Sequence, residues 1–175
     1  DSVLQQEYPN LEYYIIDGGS TDNTLDILKS YGQKIQWVSE KDSGQSDAIN
    51  KGLKMVSGDI LTYLNSDDVY LHKSLLKVND FFQKHSEVKW AYGKCKIINE
   101  NNNEIRKYIT AYKNFWMRKY SYNTLLSINF ISQPATYWRR EIQEEFGLFD
   151  GNEHLVMDYE YWLRIGQKYL LPRFR

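Results

Sequence analysis

The stretch "YIIDGGSTDNT", residues 14–24, places an acidic residue where an apolar run meets a pair of glycines. Residues 14–16 favour a strand, and Asp17 follows them directly. The glycines permit a tight turn with close backbone approach, and residues 20–22 supply side chains that cap helices. The stretch therefore predicts a strand that delivers a carboxylate into a turn, with a helix beginning just beyond it.

Short apolar strands alternate with helices through the first half of the chain. The pattern predicts the tail of a helix at residues 2–8, strands at 11–16, 35–38 and 60–64, and helices at 24–32 and 46–56. Such alternation is typical of an α/β fold with a largely parallel sheet.

The second half changes in character. Its pattern predicts strands at residues 88–92, 94–98, 104–109 and 135–139, and helices at 72–84, 140–147 and 157–169. Residues 111–126 are aromatic and basic and receive no assignment. Within them, Arg118 and Lys119 are interpreted as a solvated basic surface, with phosphate or a lipid headgroup as the alternative.

Composition narrows the class of protein. The 175 residues suffice for one domain with a core. With 22 basic and 23 acidic residues, the net charge of −1 gives no reason to expect nucleic acid or an anionic membrane as a partner. The single cysteine, Cys95, excludes an internal disulfide and a cysteine metal site. No apolar run approaches the roughly 20 residues of a membrane helix. The chain lacks an initiator methionine, and we expect it to be a fragment of a longer protein.

Two predicted strands end in acidic loops. Asp17 ends the first, and residues 65–68, Asn-Ser-Asp-Asp, end the strand at 60–64. Ligands of open parallel sheets bind at the carboxyl ends of strands, although either acidic loop could simply cap a turn. Paired acids without nearby His or Cys favour Mg²⁺ or Mn²⁺ shared with phosphate oxygens. The sequence has no P-loop, no dinucleotide fingerprint and no nucleophile elbow.

Four blocks in order carry a family resemblance: "YIIDGGSTDNTLDIL", "SEKDSGQSDAINKGL", "YLNSDD" and "FGLFDGNEHLVMDYEYWLRI". Together they closely resemble family 2 inverting glycosyltransferases of the GT-A fold. The resemblance implies a Rossmann-like, mostly parallel central sheet flanked by helices. It also implies that residues 1–175 form a single catalytic domain, truncated at both ends and lacking the family's first strand.

The resemblance implies a donor site. Asp17 and Asp47 are similar to the acids on the nucleotide side, and Asn65, Ser66 and Asp67 match the D-x-D element, with Asp67 as a ligand of Mn²⁺ or Mg²⁺. Asn65 departs from the usual first Asp. Asp47 is alternatively an ordinary first-turn residue of a helix. Asp68 either assists the metal or, as slightly favoured, caps the helix at 72–84.

The resemblance also implies an acceptor site. Asp158 matches the general base, with Met157 where the family often has Glu; the alternative is a helix residue favoured by the dipole. Gln133 and Trp138 are similar to the acceptor-side wall, although Trp138 is equally consistent with a core position. His154 is a weaker candidate for a further metal ligand.

The implied reaction transfers a sugar, with inversion, from a nucleotide-diphosphate sugar to a hydroxyl of a glycan, lipid-linked or other acceptor. UDP is the first expected carrier, and dTDP and GDP remain open. The expected setting is polysaccharide or cell-surface glycan synthesis in the cytoplasm, with peripheral membrane association of the full-length protein. The alternatives are a sugar nucleotidyltransferase and a non-catalytic carbohydrate-binding relative.

Overall fold

The computed structural model describes residues 1–153, 155–170, 172 and 174. Within these ranges the strands are β1 (Tyr14–Asp17), β2 (Gln36–Ser39), β3 (Ile60–Leu61), β4 (Trp90–Tyr92) and β5 (Thr136–Arg139). The helices are α1 (Thr24–Ser30), α2 (Gln45–Met55), α3 (Ser74–Lys84), α4 (Lys107–Met117), α5 (Tyr122–Ser127), α6 (Arg140–Phe146) and α7 (Met157–Gly166). Three short 3-10 turns occupy Leu4–Gln6, Gly32–Lys34 and Gln133–Ala135.

The described strands form two sheets. β1 and β2 pair in parallel, with Asp17 opposite Ser39 at their carboxyl ends. The other sheet has the order β3-β5-β4, and β5 is antiparallel to both neighbours, with Trp138 opposite Leu61 and Trp90. The α/β class and the parallel pairing of the first two strands are therefore confirmed, and β3 and β4 run in one direction with β5 reversed between them.

Two predicted strands, at residues 94–98 and 104–109, are absent from the structure. Residues 107–109 instead begin α4, after Arg106 turns the chain with φ at 48°. Ile98 and Glu104 form only an isolated bridge in place of a longer hairpin. Helix α4 prevails because Met117 at its end reaches the core, with 5% of its surface exposed. Tertiary packing outweighs the β propensity of this aromatic stretch.

A core of aromatic rings fixes α7 against the three-stranded sheet. Trp90 and Trp162 stack with their ring centroids 5.8 Å apart, and Trp138 meets Trp162 edge-on at 5.7 Å. All three tryptophans have no exposed surface. Burial of several large side chains stabilises this contact strongly, so the first turn of α7 has a rigid base. Among the described helices, none combines the length and apolar character required to cross a membrane.

Candidate active site

Asp17 lies at the carboxyl end of β1 with only 8% of its surface exposed. Its Oδ2 accepts the backbone N–H groups of Gly19 (3.1 Å) and Ser20 (3.0 Å) and the hydroxyl of Ser39 (2.6 Å). Oδ1 accepts the Ser20 hydroxyl. These hydrogen bonds, led by those from the Ser20 and Ser39 hydroxyls, lower the pKa of Asp17 to about 2. The carboxylate is therefore held ionised and in one orientation.

The two glycines bring this turn against the loop that precedes α2. Gly19 has φ at +88°, a conformation that side chains other than glycine rarely adopt. A Cβ at Gly18 would lie 2.4 Å from Oδ2 of Asp42, so a larger residue there would displace the Asp42 side chain. Asp42 in turn accepts the backbone N–H of Gly44 at 3.0 Å. The end of β1 is thereby joined to the start of α2.

Asp47 lies in the first turn of α2 and organises the same loop. Its Oδ2 accepts the backbone N–H of Ser43 at 3.0 Å and lies 3.4 Å from Nζ of Lys51. The Ser43 hydrogen bond lowers the pKa of Asp47. These contacts are those of a first-turn residue, and the side chain keeps 38% of its surface exposed. A ligand could therefore still reach it.

Residues 65–68 follow β3 and carry two adjacent carboxylates without a described hydrogen-bond donor, Asp67 and Asp68. Ser66 and Asp67 are exposed, and Asp68 is half-buried. Burial, followed by the charge of Asp67, raises the pKa of Asp68. The cap interpretation of Asp68 was wrong: α3 begins at Ser74 after Lys73, with no side-chain cap.

This acidic pair suits an oxygen-preferring cation. The described residues contain no group of three or more His, Cys, Asp or Glu side chains placed to hold a metal. Two carboxylates alone fit Mg²⁺ or Mn²⁺ when a ligand such as a diphosphate supplies further oxygens. His154, the weaker candidate ligand, lies outside the described residues.

A contact that the sequence analysis did not anticipate joins α2 to this loop. Nε2 of Gln45, the first residue of α2, donates to Oδ1 of Asn65 at 2.7 Å. Oδ1 of Asn65 therefore accepts a hydrogen bond that an aspartate oxygen at this position could also accept. The backbone carbonyl of Asn65 accepts the N–H of Asp68 at 3.1 Å. Gln45 stands two residues before Asp47 in "SGQSD", and that adjacency was the only signal available for it.

Asp158 lies in the first turn of α7, half-buried, with its Oδ1 accepting the backbone N–H of Tyr159 at 2.7 Å. The residue before it, Met157, is 5% exposed and accepts a hydrogen bond from the buried Ser46 hydroxyl at 2.9 Å. Met157 thus joins the start of α7 to α2. Asn50 strengthens the same junction.

The Asn50 side chain clamps the segment before α7. Its Nδ2 donates to the carbonyl of Phe149 at 2.8 Å, and its Oδ1 accepts the N–H of Phe149 at 3.0 Å. Both polar ends of one amide are thereby satisfied by one residue. The clamp thereby ties the segment before α7 to α2.

Tyr63 links the carboxylates of the two regions. Burial raises its pKa, and the charges of Asp158 and Asp68 raise it further. Both carboxylates therefore lie within electrostatic range of one phenol. Its ring meets Phe149 edge-on at 5.4 Å. The position of Tyr63 just before residues 64–68 gave no indication of this role.

Gln133 and Trp138, the two expected acceptor-side residues, have different surroundings. Gln133 is 8% exposed; its Nε2 donates to the carbonyl of Tyr63 at 2.6 Å, and its buried Oε1 has no partner among the described residues. Trp138 has no exposed surface and packs within the aromatic core. The expectation that Trp138 faces a sugar was therefore wrong, because β5 directs its indole toward α7.

A cleft of about 760 Å³ opens beside the acidic loop. Gln45 and residues 65–67 line one part of it, and it continues between β1 and β3 over apolar side chains such as Ile16, Ile49 and Leu61. Asp17, Asp47 and Asp158 are not among the residues that line it.

Comparison with known proteins assigns a family. The model of Glycosyl transferase family 2 matches residues 1–147. An uncharacterized glycosyltransferase of Rickettsia felis is 28% identical over 174 residues, which cover 94% of this chain and 28% of that protein. The chain thus spans less than a third of that relative.

Solved structures show the fold. TarS of S. aureus, in complex with UDP, superimposes with a TM-score of 0.73 at 19% identity, covering 99% of this chain and 52% of that one. The mannosyltransferase PcManGT of Pyrobaculum calidifontis, in complex with GDP-Man and Mn²⁺, gives a TM-score of 0.68 at 18% identity, covering 98% and 48%. These similarities confirm the expected GT-A fold.

Proposed function

The chain belongs to glycosyl transferase family 2, and from this premise we propose that it transfers a sugar, with inversion, from a nucleotide-diphosphate sugar to an acceptor hydroxyl. The observation that carries the proposal is the pair of acidic positions on either side of the start of α2: Asp17, held ionised at the carboxyl end of β1, and Asp67, in the loop that the Gln45–Asn65 hydrogen bond joins to α2. On this proposal the acidic loop serves the leaving diphosphate, and Asp158 serves the incoming hydroxyl.

On this proposal, the donor is held by its nucleotide and its diphosphate. Asp17 receives a base N–H, for which its Oδ1 retains acceptor capacity beyond the Ser20 hydroxyl. Asp47 lies on the ribose side, and Asn65 and Ser66 border the sugar nucleotide. UDP is the first candidate carrier because TarS was solved with it, and GDP is the second because PcManGT was solved with GDP-Man.

Asp67 and Asp68 would hold the divalent cation, and Mn²⁺ accompanies the donor in PcManGT. When bound, such a cation supplies positive charge that offsets the negative charge developing on a leaving diphosphate. The chain supplies two carboxylates beside the cleft that accept no hydrogen bond from a described residue, so their oxygens are available to the cation. Burial and the charge of Asp67 raise the pKa of Asp68. A bound cation would stabilise the ionised form of this carboxylate.

Asp158 is proposed as the general base. Its carboxylate accepts the proton of the attacking hydroxyl as that oxygen bonds to the anomeric carbon, and attack opposite the leaving group inverts configuration. The Asn50 clamp and the Ser46–Met157 contact keep the first turn of α7 in place. Gln133 is proposed on the acceptor side, where its Nε2 donates to the carbonyl of Tyr63 at 2.6 Å.

The acceptor remains a wider proposal. A hydroxyl of a glycan or of a lipid-linked sugar, in polysaccharide or cell-surface glycan synthesis on the cytoplasmic side of a membrane, is consistent with the family. Residues 1–175 are proposed to act as one catalytic domain.

The test is calorimetric titration of UDP into the protein with Mn²⁺ and, separately, with EDTA. We expect Mn²⁺ to strengthen binding, and Asp67→Asn/Asp68→Asn to remove that gain while the double variant still folds, because both side chains lack described partners. Asp80→Asn, an exposed aspartate on α3, is the control. Equal UDP affinity of the double variant and the wild type in Mn²⁺ would refute the metal assignment, and indifference of the wild type to nucleotide would favour a non-catalytic relative.

A further inference from the structure

Helix α4 leaves an aromatic face uncovered by the described chain. Tyr108 is 74% exposed, Tyr112 51% and Phe115 50%. Spacings of four and three residues align them along one side of the helix, which we call the α4 face. Met117 anchors the opposite side in the core, where its carbonyl accepts the Tyr92 hydroxyl at 2.7 Å. Three large rings therefore point into solvent from a helix that is fixed from behind.

Cations lie at both ends of this face, and the segment of the chain that carries it has no acidic residue. Residues 105–140 contain seven Lys or Arg and no Asp or Glu, whereas the rest of the chain has 15 basic and 23 acidic residues. Four exposed cations lie at the two ends of α4: Arg106, Lys107, Arg118 and Lys119. None of them forms an ion pair with a described residue. Lys119 lies 4.6 Å from the Phe115 ring centroid, and so keeps its charge beside the aromatic row.

The inner side of α4 borders the candidate active site. Nζ of Lys113 donates to the Ser132 hydroxyl at 3.4 Å, next to Gln133. Burial raises the pKa of the Cys95 thiol, the charge of Asp68 raises it further and Lys113 lowers it, so these groups lie within electrostatic range of one another. A surface that docks on the α4 face would therefore lie on the acceptor side of the protein.

We propose that α4 docks the protein on an anionic membrane surface. Tyrosine and phenylalanine side chains partition into the boundary between headgroups and acyl chains. Each Lys or Arg near an anionic leaflet adds about 1 kcal/mol of attraction. A row of rings with cations at both ends matches that boundary in both respects. The net charge of −1 conceals this surface because the acidic residues lie elsewhere in the chain.

The test is sedimentation with vesicles of phosphatidylcholine alone and of equal parts phosphatidylcholine and phosphatidylglycerol. Wild-type protein should sediment with the anionic vesicles and lose binding as salt rises. Lys107→Glu/Arg118→Glu should lower the partition coefficient on the order of 30-fold through the loss of two attractive charges alone, and further because each glutamate adds a repulsive charge. Lys77→Glu/Lys84→Glu, with the same change in net charge on exposed positions of α3, should lower it far less.

A second pair of variants tests the rings. Tyr108→Ser/Phe115→Ser should weaken vesicle binding about tenfold, whereas Ile27→Ser, at an exposed apolar position of α1, should not. Circular dichroism and thermal melting confirm that each variant folds.

Several results would overturn the proposal. These are equal wild-type binding to neutral and anionic vesicles, no binding to either, equal losses in the α3 control, and capture by soluble polyphosphate without vesicle binding. If an α4 variant dissociates a dimer of this protein and leaves vesicle binding unchanged, the α4 face would be assigned to contact with a second copy of the protein.

Discussion

Replacing Asp17 by Asn removes one charge while keeping the shape of the turn at the end of β1. The amide oxygen can still accept the Gly19, Ser20 and Ser39 donors, and the amide N–H₂ can donate to the Ser20 hydroxyl, which also accepts. The folded-state pKa of about 2, against 3.8 for an unperturbed Asp, is a shift that corresponds to roughly 2.4 kcal/mol. Asp17→Asn should therefore lower the free energy of unfolding by about 2 kcal/mol at neutral pH.

The pH dependence distinguishes this charge effect from a loss of packing. Since the folded-state pKa is lowered, Asp17 stabilises the fold above the unfolded-state pKa of 3.8 and loses that contribution as the pH falls through about 2. The difference between wild type and variant should shrink from about 2.4 kcal/mol at neutral pH to roughly 1.3 kcal/mol near pH 3. Urea unfolding followed by circular dichroism at both pH values measures it.

Asp26→Asn, on the exposed side of α1, is the control and should leave stability within about 0.5 kcal/mol of wild type. A stability difference for Asp17→Asn that does not change with pH would refute the reasoning, because it would come from geometry and not from charge. A difference near zero at neutral pH would mean that the hydroxyl and N–H donors do not favour the ionised form.

Two further predictions concern α7 and the core behind it. Asp158→Asn should bind UDP and Mn²⁺ almost as wild type does and lose sugar transfer by a factor on the order of 10² to 10⁴. Calorimetry and turnover measurements on one preparation test both expectations, with Glu144→Gln as the control. Wild-type turnover in the Asp158 variant would show that Asp158 is not the base. Trp138→Phe should lower the free energy of unfolding by roughly 1–3 kcal/mol through lost packing against Trp162 and leave acceptor kinetics unchanged in the folded protein; a raised acceptor KM with unchanged stability would return Trp138 to the sugar site.

The acidic end of β1 was predictable from sequence because its signal is local. An apolar run followed by Asp17 and two glycines specifies a strand and its turn within about ten neighbours, whereas the strand predicted at 60–64 ends at Leu61, before the acidic loop at 65–68. Helices α2, α3, α6 and α7 were found for the same reason, since apolar periodicity is read within a single segment. Asp158 was placed in the first turn of a helix by its neighbours alone.

The wrong predictions concern features that depend on contacts between residues distant in the chain. Residues 104–109 were predicted as a strand, but residues 107–109 belong to α4, whose last residue, Met117, is buried in the core. Trp138 alternates in a strand pattern that has two faces, and the sequence does not indicate which face meets α7. The overall net charge hides the basic segment because charge segregation is a property of the surface and not of the composition.

The sequence by itself determined the class of fold, the family blocks and the acids that end the strands, because each depends on residues adjacent in the chain. Only the tertiary structure decided how these acids meet. Gln45 reaches Asn65 across 20 positions, and Ser46 reaches Met157 across 111. Tyr63 packs edge-on against Phe149, in the segment before α7. Such pairings follow from the burial of a shared core, and a local pattern carries no information about which distant partner that core selects.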